Sequence, residues 1–184
     1  MNERRKKAVK QMAFGVILLV IAGVSYSFTP AQSTKVSTFS ECAEAGNPIM
    51  ESYPRQCKTK DGKMFKEDIG NELEKDDLIR ISEPRPNSVV TSPFKISGMA
   101  RGSWFSEGSF PVRIVDGNGE ILARGVAETK SRGLTKEFFS FAGELSFSTP
   151  TTTTGMLFLD KDSPSGLPEY ADTLWVPIRF SHPL

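Results

Sequence analysis

FPVRIVDGNGEILARGVAE, residues 110–128, reads as strand, turn and strand. Two short runs, FPVRIVD (110–116) and EILARGVAE (120–128), are joined by DGNGE (116–120). Asp-Gly and Asn-Gly steps accept the positive φ that tight hairpin turns require, so this stretch predicts a β-hairpin. The same residues resemble the start of a calcium loop, but such a loop needs glycine at its sixth place, where Ile121 stands.

Outward from the hairpin the texture repeats. LIRIS (78–82) is followed by the turn-rich break EPRPNS, then PFKISGMA (93–100), EFFSFAGELSFS (137–148), GMLFLD (155–160) and TLWVPIRF (173–180). Phe139, Phe141, Gly143, Leu145 and Phe147 fall on one face at period two, and so do Leu174, Val176, Ile178 and Phe180. Seven such runs in about 105 residues, with turn signals between them and no long 3.6-residue period, predict an all-β chain over 78–184. The expected architecture is an immunoglobulin-like antiparallel β-sandwich. No cysteine lies in this region, so apolar packing must hold its two sheets together.

Upstream the character changes. Residues 66–77, KEDIGNELEKDD, carry six acids and two lysines, and 68–77 is expected to be a linker or one solvated helical turn. Residues 41–67 hold the only two cysteines, Cys42 and Cys57. Residues 29–40, TPAQSTKVSTFS, have no apolar period and read as an exposed spacer.

The N-terminus sets the expected location. Residues 1–10 contain Arg4, Arg5, Lys6, Lys7 and Lys10 against Glu3, and are taken as a cytoplasmic basic tail. MAFGVILLVIAGVSYSF (12–28) follows without a charge, close to the roughly 20 apolar residues that span a bilayer. Residues 11–28 are therefore expected to form a transmembrane anchor, with the basic end inside and the C-terminal part outside. A cleaved signal peptide is the alternative, and it would export the same residues. The rest of the chain carries 18 of the 23 basic and 21 of the 22 acidic residues. A mildly acidic body gives no electrostatic case for nucleic acid.

In an exported chain two cysteines usually pair, and a Cys42–Cys57 bridge would brace a segment with few apolar residues. A redox pair would normally be C-x-x-C, which this spacing is not. No nucleophile elbow, phosphate loop or dinucleotide fingerprint occurs. His182 is the only histidine, so a histidine-based metal cluster or catalytic triad has little to build on. In DKDSPSGLPE (160–169), Asp160 and Asp162 could face a hard cation, but the spacing misses the glycine position by one and reads as a turn. No enzyme activity, cofactor or metal is expected.

One stretch keeps a functional reading. RGSWFSEGS (101–109) sets Trp104 and Phe105 beside Glu107. Exposed aromatics supply large contact area, so these three are the candidate partner-binding residues. An acid among aromatics could also serve a glycan-acting enzyme, because apolar surroundings raise a carboxyl pKa. The competing reading packs an aromatic into the sandwich and pairs Glu107 with a base such as Arg101.

Two resemblances add to this. Pro86-Asn87-Ser88, Ser92-Pro93, Ser97-Gly98, Ala100, Trp104-Phe105, Glu107, Phe110-Pro111-Val112, Asp116, Gly119 and Ser165-Gly166 resemble the immunoglobulin-like domain associated with GerMN domains of bacterial spore-germination proteins, over about 78–182. That resemblance implies an extracytoplasmic β-sandwich module without an established catalytic role. YPRQCKTKDGKMFKE (53–67) resembles the centre of Kazal-type modules, with Asp61-Gly62 as the turn and Phe65 as the aromatic. A Kazal module has six cysteines where this has two, so a minimal disulfide-pinned hairpin is expected rather than a protease inhibitor. The leading expectation is a single-pass, membrane-anchored binding module that contacts a protein or an envelope polymer.

Overall fold

The computed structural model describes residues 35–130, 136–163, 167 and 170–181. The expected anchor, the first half of the spacer and His182 lie outside them. Among the described residues no helix is long and apolar enough to cross a membrane.

Residues Ser37–Leu184 form one compact unit. It begins with helix α1 (Phe39–Glu44), which starts in the last two residues of what reads as spacer and runs into the cysteine segment. Thr38 caps it: its hydroxyl accepts from the Glu41 N–H, and the Glu41 carboxylate accepts from the Thr38 N–H. This reciprocal S/T-x-x-E box satisfies N–H groups that a short helix would otherwise leave orphaned. The helix carries Cys42 to a small sheet ordered β1 (Ile49–Met50), β2 (Gln56–Lys58), β3 (Met64–Lys66). Cys42 and Cys57 are bonded, with Cα atoms 6.1 Å apart and both residues fully buried. The expected hairpin is thus the β2–β3 half of a sheet pinned to a helix. Gly62, at φ +90°, makes its turn, and Phe65 lies directly opposite Cys57.

Replacing both cysteines by serine is expected to cost about 2–4 kcal/mol, because the bridge closes a 15-residue separation in a segment with little core of its own. Chemical denaturation of oxidised protein and of the double variant measures it. A difference below about 1 kcal/mol would show that the segment holds without its bridge.

Residues 68–77 are not a free linker. Ile69 and Asn71 are buried, and α2 (Glu72–Lys75) follows. The chain then enters the large sheet: β4 (Ile79–Glu83), β5 (Val89–Val90), β6 (Phe94–Arg101), β7 (Ser109–Asp116), β8 (Ile121–Glu128), β9 (Phe138–Leu145), β10 (Thr154–Asp160) and β11 (Thr173–Phe180). All seven expected strands are present; β5 is an addition between the EPRPNS break and β6. The order is β4-β6-β9-β8-β7-β10-β11-β5. β5 runs parallel to β11, which departs from the expected wholly antiparallel pairing.

The eight strands curl so that two halves enclose one core. β8 and β9 share a single pairing, Glu128 with Ala142, and there the sheet turns its corner. Glycine at 143 makes this corner possible: a Cβ there would stand 2.9 Å from the Val126 carbonyl oxygen. The inward faces alternate as the period-two pattern predicts. Phe110, Val112 and Ile114 of β7, Leu157 and Leu159 of β10, and Leu174, Val176 and Ile178 of β11 are all buried. Phe110 meets Phe141 of the opposite half edge-on, with centroids 5.0 Å apart. Phe147 lies beyond the end of β9 but still packs between Phe94 and Phe180.

The β7–β8 turn is built by Asp116. Its carboxylate accepts from the Asn118 and Glu120 N–H groups and from the Thr151 hydroxyl, and Gly119 takes φ +86°. The hairpin reading of DGNGE holds, with its positive φ at the second glycine. The Thr151 hydroxyl, followed by the backbone donors, holds the Asp116 carboxyl below the usual carboxylate range.

Candidate partner-binding site

Trp104 and Phe105 belong to the core. After β6 the chain makes a 3-10 turn, Gly102–Trp104, that swings both rings inward, leaving them 1% and 5% exposed. Phe105 packs against Phe110 with centroids 5.3 Å apart. Neither ring offers contact area to a partner in this conformation.

Glu107 is separated from them and points outward. Ser106 and Ser109 exchange both backbone hydrogen bonds, which makes Glu107 and Gly108 the two central residues of a tight hairpin turn at φ +51° and +86°. Glutamate is a poor choice for that position, where glycine or asparagine is favoured. Glu107→Gly is therefore expected to leave the fold intact and to stabilise it by up to about 1 kcal/mol, read from the denaturation midpoint. A loss of stability would show that the carboxylate has a structural partner. The expected Arg101 pairing is not made: the Arg101 guanidinium donates to the Asp77 and Lys136 carbonyls and stacks 4.6 Å from the Phe138 centroid.

Concavity is found elsewhere, where the disulfide segment meets the sandwich. A groove of about 470 Å³ is lined by Phe39, Ile49 and Phe65, with Lys66 and Arg179 among its charged residues. That volume falls within the range of small-ligand and peptide-anchor sites. Arg55 lies 5.4 Å from the Phe39 centroid and donates twice to Glu67, at 2.8 and 2.7 Å. Asn87, at φ +61°, donates to the Glu67 carboxylate and to the Asp68 carbonyl, while its own N–H donates to Pro177. One carboxylate thus ties the disulfide segment to the loop before β5. The Arg55 guanidinium beside Glu67 holds its carboxyl below the usual range, against the opposing effect of burial.

A lowered folded-state pKa contributes stability above the ordinary value of 4.5, and that contribution disappears as pH falls through the folded value. Glu67→Gln should therefore lower the midpoint at neutral pH and flatten its decline below about pH 4.5. An acid limb of unchanged slope would place the titration on other carboxylates, Asp116 first. Most of the groove's lining comes from residues 37–68, and Asn87 and Arg179 reach it from the sandwich, a convergence that no local sequence pattern marks.

Other features near this junction are structural. Tyr53 donates to Glu72 and lies beside Arg85, whose guanidinium is 5.2 Å from the ring centroid. Burial, then Glu72, pushes the Tyr53 hydroxyl up to about 12, and burial raises the Glu72 carboxyl. Among the described residues no three His, Cys, Asp or Glu side chains gather around a point where a metal could sit.

No curated protein sequence matches the chain. Among solved structures, the sulfane dehydrogenase SoxCD of Paracoccus pantotrophus aligns at 19% identity with a TM-score of 0.29. The alignment covers 61% of this chain and 27% of that one. The model of the immunoglobulin-like domain of bacterial spore germination matches residues 78–167, from the entry into β4 to the loop after β10. Seven of the eight strands of the curled sheet lie in that span, and they place residues 78–167 in the family of immunoglobulin-like domains of bacterial spore germination.

Proposed function

We propose that the chain is a membrane-anchored, extracytoplasmic binding module without catalytic activity. Its N-terminal segment tethers it, and its compact unit presents the groove between the disulfide segment and the sandwich to a protein or envelope-polymer partner. The observation that carries this reading is the way the disulfide segment joins the sandwich. A bridged helix and sheet supply most of a concave surface, and Asn87, which is bonded to Glu67, and Arg179 complete it from the sandwich. The basic flank and uncharged run of residues 1–28 support the tether. The disulfide supports an oxidising compartment. The family is of a non-catalytic type, and Glu107 stands apart from the buried aromatics that a glycan-cleaving site would use.

Location is tested on the full-length chain with a C-terminal phosphatase that is active only outside the cytoplasm. Activity, together with no labelling of Cys42 or Cys57 by thiol reagents in intact cells, is expected. A silent reporter and two reactive thiols would defeat the reading. For the groove, a photo-crosslinking residue at Lys66 should give a discrete adduct in cells, while one at exposed Lys95 on β6 should not. Equal labelling at both would remove the groove as the contact.

A further inference from the structure

The outward face of β8, β7, β10 and β11 carries a row that packing does not require. Arg124, Arg113, Phe158 and Trp175 are cross-strand partners in turn. The Arg113 guanidinium lies 3.9 Å from the Phe158 centroid, stacked on its ring. Its Nε and one terminal nitrogen donate to Asp160, which also accepts from the Thr173 hydroxyl. The guanidinium is thereby fixed in orientation and keeps its remaining N–H groups for another acceptor.

Arg124 stands directly opposite Arg113, is exposed, and makes no ion pair among the described residues. Like charges directly opposite on a sheet are destabilising, so for folding alone an acid at 124 would be the better choice. Around this pair the face is apolar and open. Val126 is 49% and Ile121 43% exposed, and their cross-strand partners are Pro111, itself exposed, and Val115.

We propose that this face binds a carboxylate-bearing glycan strand, with Arg124 and Arg113 on the carboxylates and sugar rings lying across Pro111, Val126 and the stacked guanidinium. The proposal rests on the reading of the chain as an extracytoplasmic binding module, and it gives the envelope-polymer partner a surface of its own. Two guanidinium groups side by side match carboxylates, which they grip through paired N–H groups. A flat surface of small apolar side chains matches the C–H faces of sugar rings. An extended peptide would gain most from a free strand edge, and β7 and β10 are paired on both sides. A membrane would call for protruding apolar side chains, whereas Phe158 and Trp175 are half-buried within the sheet.

The test uses purified full-length protein in detergent with four probes: polygalacturonate, a neutral glucan of equal length, polyglutamate, and phosphatidylglycerol-rich vesicles. Polygalacturonate alone should bind. Arg124→Glu should weaken that binding at least tenfold while leaving the Tm unchanged or raised, because the new acid faces Arg113. Arg124→Gln should weaken binding less and also leave the Tm intact. Unchanged affinity in Arg124→Glu would overturn the proposal, as would loss of binding accompanied by a fall in Tm. Equal binding of polyglutamate would mean that charge alone is read, and equal binding of vesicles that a membrane is; either overturns it as well. These measurements do not depend on location, so a negative result alongside an active external reporter would remove the glycan face and leave the proposed function standing.

Discussion

Trp104→Ala is expected to destabilise the protein by about 3–5 kcal/mol and to lower its Tm by about 10 °C. The ring is 1% exposed and belongs to the core cluster shared by both halves of the curled sheet, together with Phe105 and Phe110. Removing it deletes a large buried area and leaves a cavity that the surrounding strands cannot close, since their backbones are fixed by pairing. Trp104→Phe should cost much less, about 1–2 kcal/mol. Phenylalanine keeps most of the apolar surface, and the indole Nε1 that it removes is buried with no hydrogen-bond partner among the described residues. Burying an unsatisfied N–H is unfavourable, so its loss offsets part of the lost packing. Thermal melts of the three proteins separate this from a binding role. If Trp104 were a contact residue, the alanine variant would melt near the parent and lose only its partner. If the phenylalanine variant proves as unstable as the alanine variant, the indole N–H has a partner after all. Loss of partner capture by Trp104→Ala would therefore report on the fold, and only a variant that melts normally can locate the contact surface.

The strands were legible because each is half-buried, and half-burial writes period two into the residue order. Phe141 and Leu145 point into the core as the alternation of β9 requires, and Leu174, Val176 and Ile178 do the same for β11. The role of Gly143 in that alternation was not legible. It sits on the inward side because β8 crosses it at the corner, a fact about two strands rather than one. Trp104 and Phe105 misled for a related reason. Serine and glycine around an aromatic pair look like an exposed loop, but Gly102 is buried and donates to the Glu137 carbonyl, tightening the turn that tucks both rings inside. Residues 68–77 looked solvated because their acids outnumber their apolar side chains, yet the two residues that matter, Gly70 and Asn71, are small or neutral and act through the backbone of β11. The capping box at Thr38 was readable from T-F-S-E, but the Ser/Thr-rich composition around it pointed to a spacer. The arginine row depends on register between distant strands, and the groove on Asn87 and Arg179 reaching the disulfide segment, and no local pattern encodes either.

Gly70→Ala should cost about 3–5 kcal/mol, several times what the same change costs at Gly62. β5 covers only the last residues of β11, pairing with Arg179 and Phe180, and leaves the first half of that edge open. Asn71 fills the gap as a strand would. Its N–H donates to the Trp175 carbonyl, its side-chain amide donates to the Thr173 carbonyl at 2.9 Å, and its side-chain oxygen accepts from the Trp175 N–H at 2.8 Å. Gly70 brings Asn71 to that position at φ +73°, with the space for a Cβ already taken: it would lie 2.0 Å from the Trp175 carbonyl oxygen. Alanine therefore meets a left-handed backbone penalty of about 1–2 kcal/mol and cannot sit where the glycine sits. Relief requires residues 69–71 to lift, which breaks three hydrogen bonds worth about 1 kcal/mol each and exposes Ile69. Gly62 isolates the backbone component, since it has φ +90° but nothing within 4 Å of its Cβ position. The comparison is made by denaturation of both variants and by amide exchange at Trp175, whose N–H should lose protection in Gly70→Ala and keep it in Gly62→Ala. Equal stabilities would show that the docked segment contributes nothing to holding β11. The expected loss also opens an unpaired strand edge, so the Gly70 variant should self-associate on heating while the Gly62 variant remains monodisperse by light scattering.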